Sequence, residues 1–169
     1  MSSKALIIGG VIFIIVLMTG AYFLIGGNGG SSESSVKILS YTTNDIARPK
    51  AKIRSTAADL GKMKVSDEKD ASFTITNAGQ KPLQLYDITS SCMCTFGQII
   101  LDGKASEEFG MHGTSNYAAE IAPGQQAILK VIYRPYLMPV YGSVEREVYM
   151  ATNDPQNTKL VFKVNAYVQ

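Results

Sequence analysis

Residues 73–95, FTITNAGQKPLQLYDITSSCMCT, combine a strand pair, a turn and both cysteines of the 169-residue chain. Apolar side chains alternate with threonines over residues 73–77, which is typical of a half-buried strand. Residues 77–80 predict a turn because Asn and Gly both tolerate a positive φ, and Pro82 stands where the next strand begins. We therefore expect two paired strands at the centre of a β fold.

Three further segments, residues 127–134, 144–150 and 160–168, show the same alternation and are separated by Gly, Pro and Asn turns. No amphipathic helix is evident after Ile25. The pattern predicts an all-β fold, an Ig-like antiparallel sandwich of about seven strands, with a closed barrel as the alternative. The side chains expected in its core are Phe73, Ile75, Leu83, Leu129, Val131, Val148, Phe162 and Val164.

Five short motifs follow one another in a fixed order. ADLGKM at residues 58–63 precedes FTITNAGQKPLQL, SCMCT, IAPGQQA and ATNDP. In this order they resemble the bacterial domain of unknown function (DUF) 1573 family, which is similar to Ig-like ASH/Hydin β-sandwich modules. Met93 departs from the Gly usual between the cysteines, and an insertion from about residue 102 to 118 precedes the IAPG turn. The resemblance implies a binding or scaffold module without a known reaction.

The N-terminal region predicts a membrane anchor. Residues 5–25 carry no charge and are long enough, at ~1.5 Å per residue, to cross a ~30 Å hydrocarbon core. Lys4 is the flanking charge, so residues 1–4 are expected in the cytoplasm and the remainder of the chain outside the cell membrane. The alternative is a cleaved secretory signal, whose apolar region would be ~7–15 residues long.

Residues 26–35, GGNGGSSESS, have the composition of a flexible linker. Residues 36–56 are expected to be a further linker with a possible edge strand, and residues 57–169 to form the sandwich domain. The basic run RPKAKIR at residues 48–54 has two interpretations. It is an edge strand whose charges and proline block edge-to-edge pairing, or a segment attracted to anionic lipid headgroups.

Charge and histidine content narrow the possible functions. The net charge is +2, and no basic block typical of nucleic-acid binding is present, so we expect no nucleic-acid partner. His112 is the only histidine, which excludes metal sites that need two. No nucleophile with a positioned base is evident, so we expect no enzyme activity. A protein partner at the cell surface is the predicted ligand.

The cysteine pair leaves three interpretations open. On a strand, Cys92 and Cys94 would have Cα atoms ~6.6 Å apart, at the upper edge of disulfide reach, so no ordinary structural disulfide is expected. They are buried thiols, a reducible disulfide or redox pair, or a metal-binding dithiol. In the metal interpretation Met111 and His112 of the inserted loop complete a soft ligand set that favours Cu(I).

We therefore predict a membrane-anchored, extracytoplasmic binding or scaffolding module without a cofactor. A copper-binding or thiol-redox protein is the alternative. In that alternative Met93 is not expected to be a ligand, since a regular strand would turn it to the opposite face.

Overall fold

The computed structural model describes residues 13–14, 16–18, 36–113 and 116–169 of the chain. The chain divides into two compact units, Met1–Ser34 and Ser35–Gln169. The described residues of the first unit are helical with exposed side chains. The rest of the predicted transmembrane segment, together with the predicted cytoplasmic residues 1–4 and the linker 26–35, lies outside the described residues. Within the described part of the chain, no helix has the length and apolar character needed to span a membrane.

The second unit is a sandwich of two five-stranded sheets, which confirms the predicted all-β architecture. The first sheet has the strand order β1-β3-β8-β5-β6 and the second β2-β10-β9-β4-β7. The strands are β1 Ala51–Ile53, β2 Ala57–Met63, β3 Lys69–Asn77, β4 Leu83–Ser90, β5 Thr95–Leu101, β6 Lys104–Ala105, β7 Ala118–Ile121, β8 Gln126–Tyr133, β9 Gly142–Thr152 and β10 Lys159–Val168, with a 3-10 helix at Pro135–Leu137.

Two details of the predicted sandwich are wrong. The described residues form ten strands, not about seven, because β1, β6 and β7 have only two to four residues and so show no clear alternation. The sheets are also not purely antiparallel, since β2 pairs with β10 in parallel. Side-chain alternation is the same in both orientations, so it cannot reveal the direction of pairing.

The core is the predicted one. All eight side chains expected there are at most 3% exposed, and the rings of Phe73 and Phe162 lie 5.1 Å apart between centroids. The cluster of buried residues runs from Ala51 to Val168. The compact unit begins at Ser35, so residues 36–56, expected as linker and possible edge strand, are part of it. We therefore expect residues 36–169 to fold without the first unit.

The turn that follows β3 depends on Asn77 and Gly79, but for a different reason from the one predicted. Neither residue has a positive φ. The buried Asn77 side chain accepts hydrogen bonds from Gly79 N at 2.9 Å and Lys50 N at 3.3 Å. A Cβ on Gly79 would lie only 2.3 Å from the Arg48 carbonyl oxygen. Glycine is needed here because the segment before β1 passes directly over the turn.

The two ends of the sandwich differ. The disulfide end consists of residues 91–94, between β4 and β5, and residues 134–141, between β8 and β9. These segments are neighbours because β5 and β8 pair in antiparallel register, Thr95 opposite Tyr133. The entry end, where the chain joins the sandwich, consists of residues 36–50, 78–82 and 153–158. There Leu39 N donates to Gln84 Oε1 at 2.7 Å.

Candidate functional site

Cys92 and Cys94 form a disulfide, with an S–S distance of 2.00 Å and Cα atoms 5.3 Å apart. Of the three interpretations left open for the pair, the structure therefore has the disulfide and not free thiols, and the Cα separation of ~6.6 Å that argued against an ordinary structural disulfide is wrong. The physical reason is the local backbone. Residues 91–94 are a turn, not a strand, and Thr95 N donates to the Cys92 carbonyl at 3.3 Å. The turn brings the two Cα atoms closer than the ~6.6 Å of a regular strand.

The disulfide is shielded from solvent while the residue inside it is not. Cys94 is 0% and Cys92 9% exposed, whereas Met93 is 58% exposed. Cys94 N donates to Cys92 Sγ at 3.2 Å, and Ser90 Oγ donates to the Cys92 carbonyl at 2.8 Å. These hydrogen bonds join residues within and next to the turn, and the Met93 side chain is exposed to solvent at the disulfide end.

Met111 and His112, the other two predicted copper ligands, are exposed in the loop that follows the bridge between Gly97 and Phe109. Among the residues that the structure describes, no three His, Cys, Asp or Glu side chains are grouped to hold a metal ion. A disulfide offers no thiolate, and thiolates are the metal-binding form of cysteine. The copper site therefore stays a prediction for the reduced protein.

The disulfide end also carries a surface that the sequence patterns did not indicate. Between β8 and β9 the chain reads RPYLMPVYG, and five of its large side chains are exposed. Their exposed fractions are 46% for Tyr136, 48% for Leu137, 50% for Met138, 41% for Val140 and 67% for Tyr141. We call residues 135–141 the apolar loop. The available signal was an apolar run interrupted by two prolines, which disfavour both helix and sheet.

Arg134 fixes the base of the apolar loop. Its backbone N–H donates to the Cys94 carbonyl at 2.8 Å, which joins the loop directly to the disulfide turn. Its guanidinium pairs with Glu68 and with Glu108, each at 2.5 Å, and stacks 4.9 Å from the Phe96 ring centroid. The hydrogen bond from Arg134 lowers the pKa of Glu108, and the bonds to both carboxylates raise the pKa of Arg134. The loop is thus held at a charged, hydrogen-bonded anchor point.

Comparison with known proteins supports the fold. Residues 51–108 match the family described as protein of unknown function (DUF1573), which confirms the resemblance over that part of the chain. No curated protein matches. The match includes the disulfide turn and ends before the apolar loop.

Among solved structures, a protein of unknown function from Porphyromonas gingivalis W83 is similar with a TM-score of 0.55 and 22% identity, over 70% of this chain and 46% of that one. The present chain thus spans less than half of that protein's length. The ASH/PapD-like domain 7 of human CEP192 is similar with a TM-score of 0.49 and 11% identity, over 80% of this chain and 96% of that one. The P. gingivalis likeness, at this identity, shows the fold alone.

Proposed function

We propose that this chain, part of which matches the DUF1573 family, is a membrane-anchored extracytoplasmic module that binds a protein partner through its disulfide end and does not catalyse a reaction. The observation that carries the proposal is the apolar loop, where Tyr136, Leu137, Met138, Val140 and Tyr141 are all exposed. Contiguous exposed apolar side chains on a folded domain mark interaction sites, and Tyr and Met are enriched in protein interfaces.

The partner is a folded protein with a complementary apolar patch. The loop contains Pro135 and Pro139 and a short 3-10 helix, so it presents side chains and not a strand edge that could pair with an added strand. Residues 36–50, which precede β1, lie at the opposite end of the sandwich and do not cover the disulfide end. The anchored base at Arg134 also reduces the ordering cost that binding would otherwise carry.

Two further features support the location and the absence of catalysis. A disulfide persists in oxidising compartments outside the cytoplasm, which agrees with a domain placed beyond the membrane by residues 5–25. His112, the single histidine of the sequence, is an exposed side chain of a loop, whereas proton transfer needs an acid–base residue that is held in place. We therefore favour binding over catalysis.

The binding proposal is tested by site-specific photo-crosslinking of the full chain in its native membrane. A photoreactive residue replaces Tyr141 in the apolar loop or, as the control, the exposed Thr158 at the entry end. We expect one defined protein adduct from position 141, absent from position 158 and lost in Leu137→Ser. The purified partner should then bind Leu137→Ser at least tenfold more weakly, because burying a leucine contributes ~1.5–3 kcal/mol. Equal adducts at both positions, or an adduct with a second copy alone, would refute the proposal.

The topology is tested separately with protease added to intact cells or spheroplasts. We expect the domain to be digested without lysis, since residues 5–25 would place it outside. Digestion only after lysis would reverse the proposed orientation.

A thiol-redox or copper function is the second candidate, and the disulfide itself favours it. Reduction would release two thiols able to exchange or to bind a soft metal. In that case the reduced protein should take up about one equivalent of Cu(I), and less as pH falls, because the thiols must lose their protons to bind the metal. Met111→Leu and His112→Ala should weaken uptake and Met93→Leu should not. No uptake by reduced protein would eliminate the copper form of this candidate.

A further inference from the structure

The basic run at residues 48–54 places its cations on one face. Lys50, Lys52 and Arg54 are exposed and Arg48 is half-buried, and they alternate with residues directed toward the sandwich. The inward positions are Pro49 and Ala51, which are buried, and Ile53, which packs against the core. The extended backbone is held by β1 pairing with β3 and by Ala78 N donating to the Lys50 carbonyl at 2.8 Å. We call these four cations the basic strip.

The basic strip is not neutralised within the domain. The ion pairs among the described residues use Lys130, Arg134 and Lys163, and none includes a cation of the strip. A cavity of 340 Å³ is lined by Lys52 and Arg54 together with threonine and glutamine side chains, without a carboxylate. This face of the first sheet therefore combines positive charge with hydrogen-bonding groups that suit an oxyanion.

An exposed apolar side chain lies beside the strip. Ile46 is 97% exposed in the turn before Arg48, and a cavity of 400 Å³ is lined by Ile46, Arg48 and Lys50 together. The one carboxylate in that cavity lining, Asp45, accepts a hydrogen bond from Thr42 N at 2.7 Å. Basic residues near a bilayer are attracted to anionic headgroups, and an exposed apolar side chain beside them can enter the headgroup layer.

We infer that the basic strip and Ile46 form a docking surface for the anionic headgroups of a lipid bilayer. The phosphate charges would be met by the four cations, and Ile46 would enter the headgroup layer. The predicted anchor at residues 5–25 precedes the strip in the sequence and would tether it through the intervening segment, so a bilayer is the anionic surface that the tethered strip would meet. This lipid contact rests on the proposed membrane anchoring by residues 5–25. Its test uses a protein that lacks those residues, so a failure of lipid binding by the strip can be distinguished from a failure of the anchor.

The test measures co-sedimentation of residues 36–169 with vesicles of phosphatidylcholine alone or mixed with phosphatidylglycerol. We expect binding only to the anionic vesicles and a loss of binding as salt is raised, since the Debye length falls from ~30 Å at 0.01 M to ~8 Å at 0.15 M. Lys52→Gln/Arg54→Gln should bind about 30-fold more weakly, because each cation near such a surface contributes ~1 kcal/mol and ~1.4 kcal/mol is a factor of ten. Circular dichroism confirms that each variant is folded.

The matched control is Lys62→Gln/Lys64→Gln, which removes the same charge from exposed positions near the disulfide end and should bind within about threefold of wild type. Ile46→Ser should weaken binding to the same vesicles while keeping the salt dependence. Equal losses for both charge pairs, or equal binding to neutral vesicles, would overturn the inference. Competition by soluble polyphosphate at equal phosphate concentration would also overturn it, because the strip would then be a general polyanion site.

Discussion

Asn77 offers the sharpest test of how the central turn stabilises the sandwich. Its buried side chain makes four hydrogen bonds to backbone groups, accepting from Lys50 N and Gly79 N and donating to the carbonyls of Lys81 and Ile121. Asn77→Ala leaves all four groups without this partner. At ~0.5–1.5 kcal/mol for each bond, the sum is ~2–6 kcal/mol, and we expect a loss of about 3–4 kcal/mol because one of the four bonds is long and others reach partly solvated groups.

The assay is urea unfolding of residues 36–169. With an m-value of about 2 kcal/mol/M, the expected loss moves the midpoint down by about 1.5–2 M while the slope stays unchanged. Asn165→Ala is the matched control, since Asn165 is exposed on β10, and it should change stability by less than ~0.5 kcal/mol. A loss below ~1 kcal/mol for Asn77→Ala would refute the reasoning, because solvent would then satisfy the four backbone groups as well as the amide does.

Three further predictions concern the core, the disulfide and one carboxylate. Phe73→Ala should cost ~3–5 kcal/mol in urea unfolding through lost burial against Phe162 and the cavity left behind, and a cost below ~1.5 kcal/mol would contradict the packing. Cys92→Ala/Cys94→Ala should cost only ~1.6 kcal/mol, because the closed loop is very short, and a loss above ~4 kcal/mol would contradict this. The pKa of Glu108 is lowered in the folded state, so its ionised carboxylate stabilises the fold at pH values above the ordinary pKa of 4.5. This stabilisation is lost as pH falls through the lowered pKa, and Glu108→Gln should therefore flatten the acid side of the stability-versus-pH curve. An unchanged acid limb would mean that this ion pair contributes nothing.

The long strands were predictable because alternation needs length. β3, β4, β8, β9 and β10 each have at least eight residues, enough to distinguish a buried face from an exposed one. The short edge strands and the parallel β2–β10 pair depend on which distant segments meet, and residue alternation carries no record of that. The same alternation indicates which side chains are buried. The eight predicted core residues are therefore correct, although the predicted number of strands is wrong.

The features of the candidate site were harder to predict because they depend on local backbone and on tertiary exposure. A regular strand was assumed at Cys92 and Cys94 where the chain turns, so the sequence left the disulfide as one of three interpretations and could not select it. The apolar loop was missed for a different reason. Residue type alone predicts that Tyr, Leu, Met and Val side chains are buried. The exposure of these side chains in the apolar loop becomes evident only in the folded sandwich, whose core is formed by other residues.

The two proposed surfaces lie far enough apart to act independently. Ile53 of the basic run pairs with Ile75, which lies opposite Ala127, and the six steps along β8 from Ala127 to Tyr133 span about 20 Å at ~3.3 Å each, more than twice the ~8 Å Debye length at physiological salt. Charges of the basic strip therefore exert little influence on the apolar loop, and the charges at its base, Arg134, Glu68 and Glu108, are paired with one another. A bilayer at the strip and a protein at the disulfide end would each be bound without competing for the same residues. The closely packed sheets between them would then serve as a rigid spacer that holds the apolar loop away from the lipid surface.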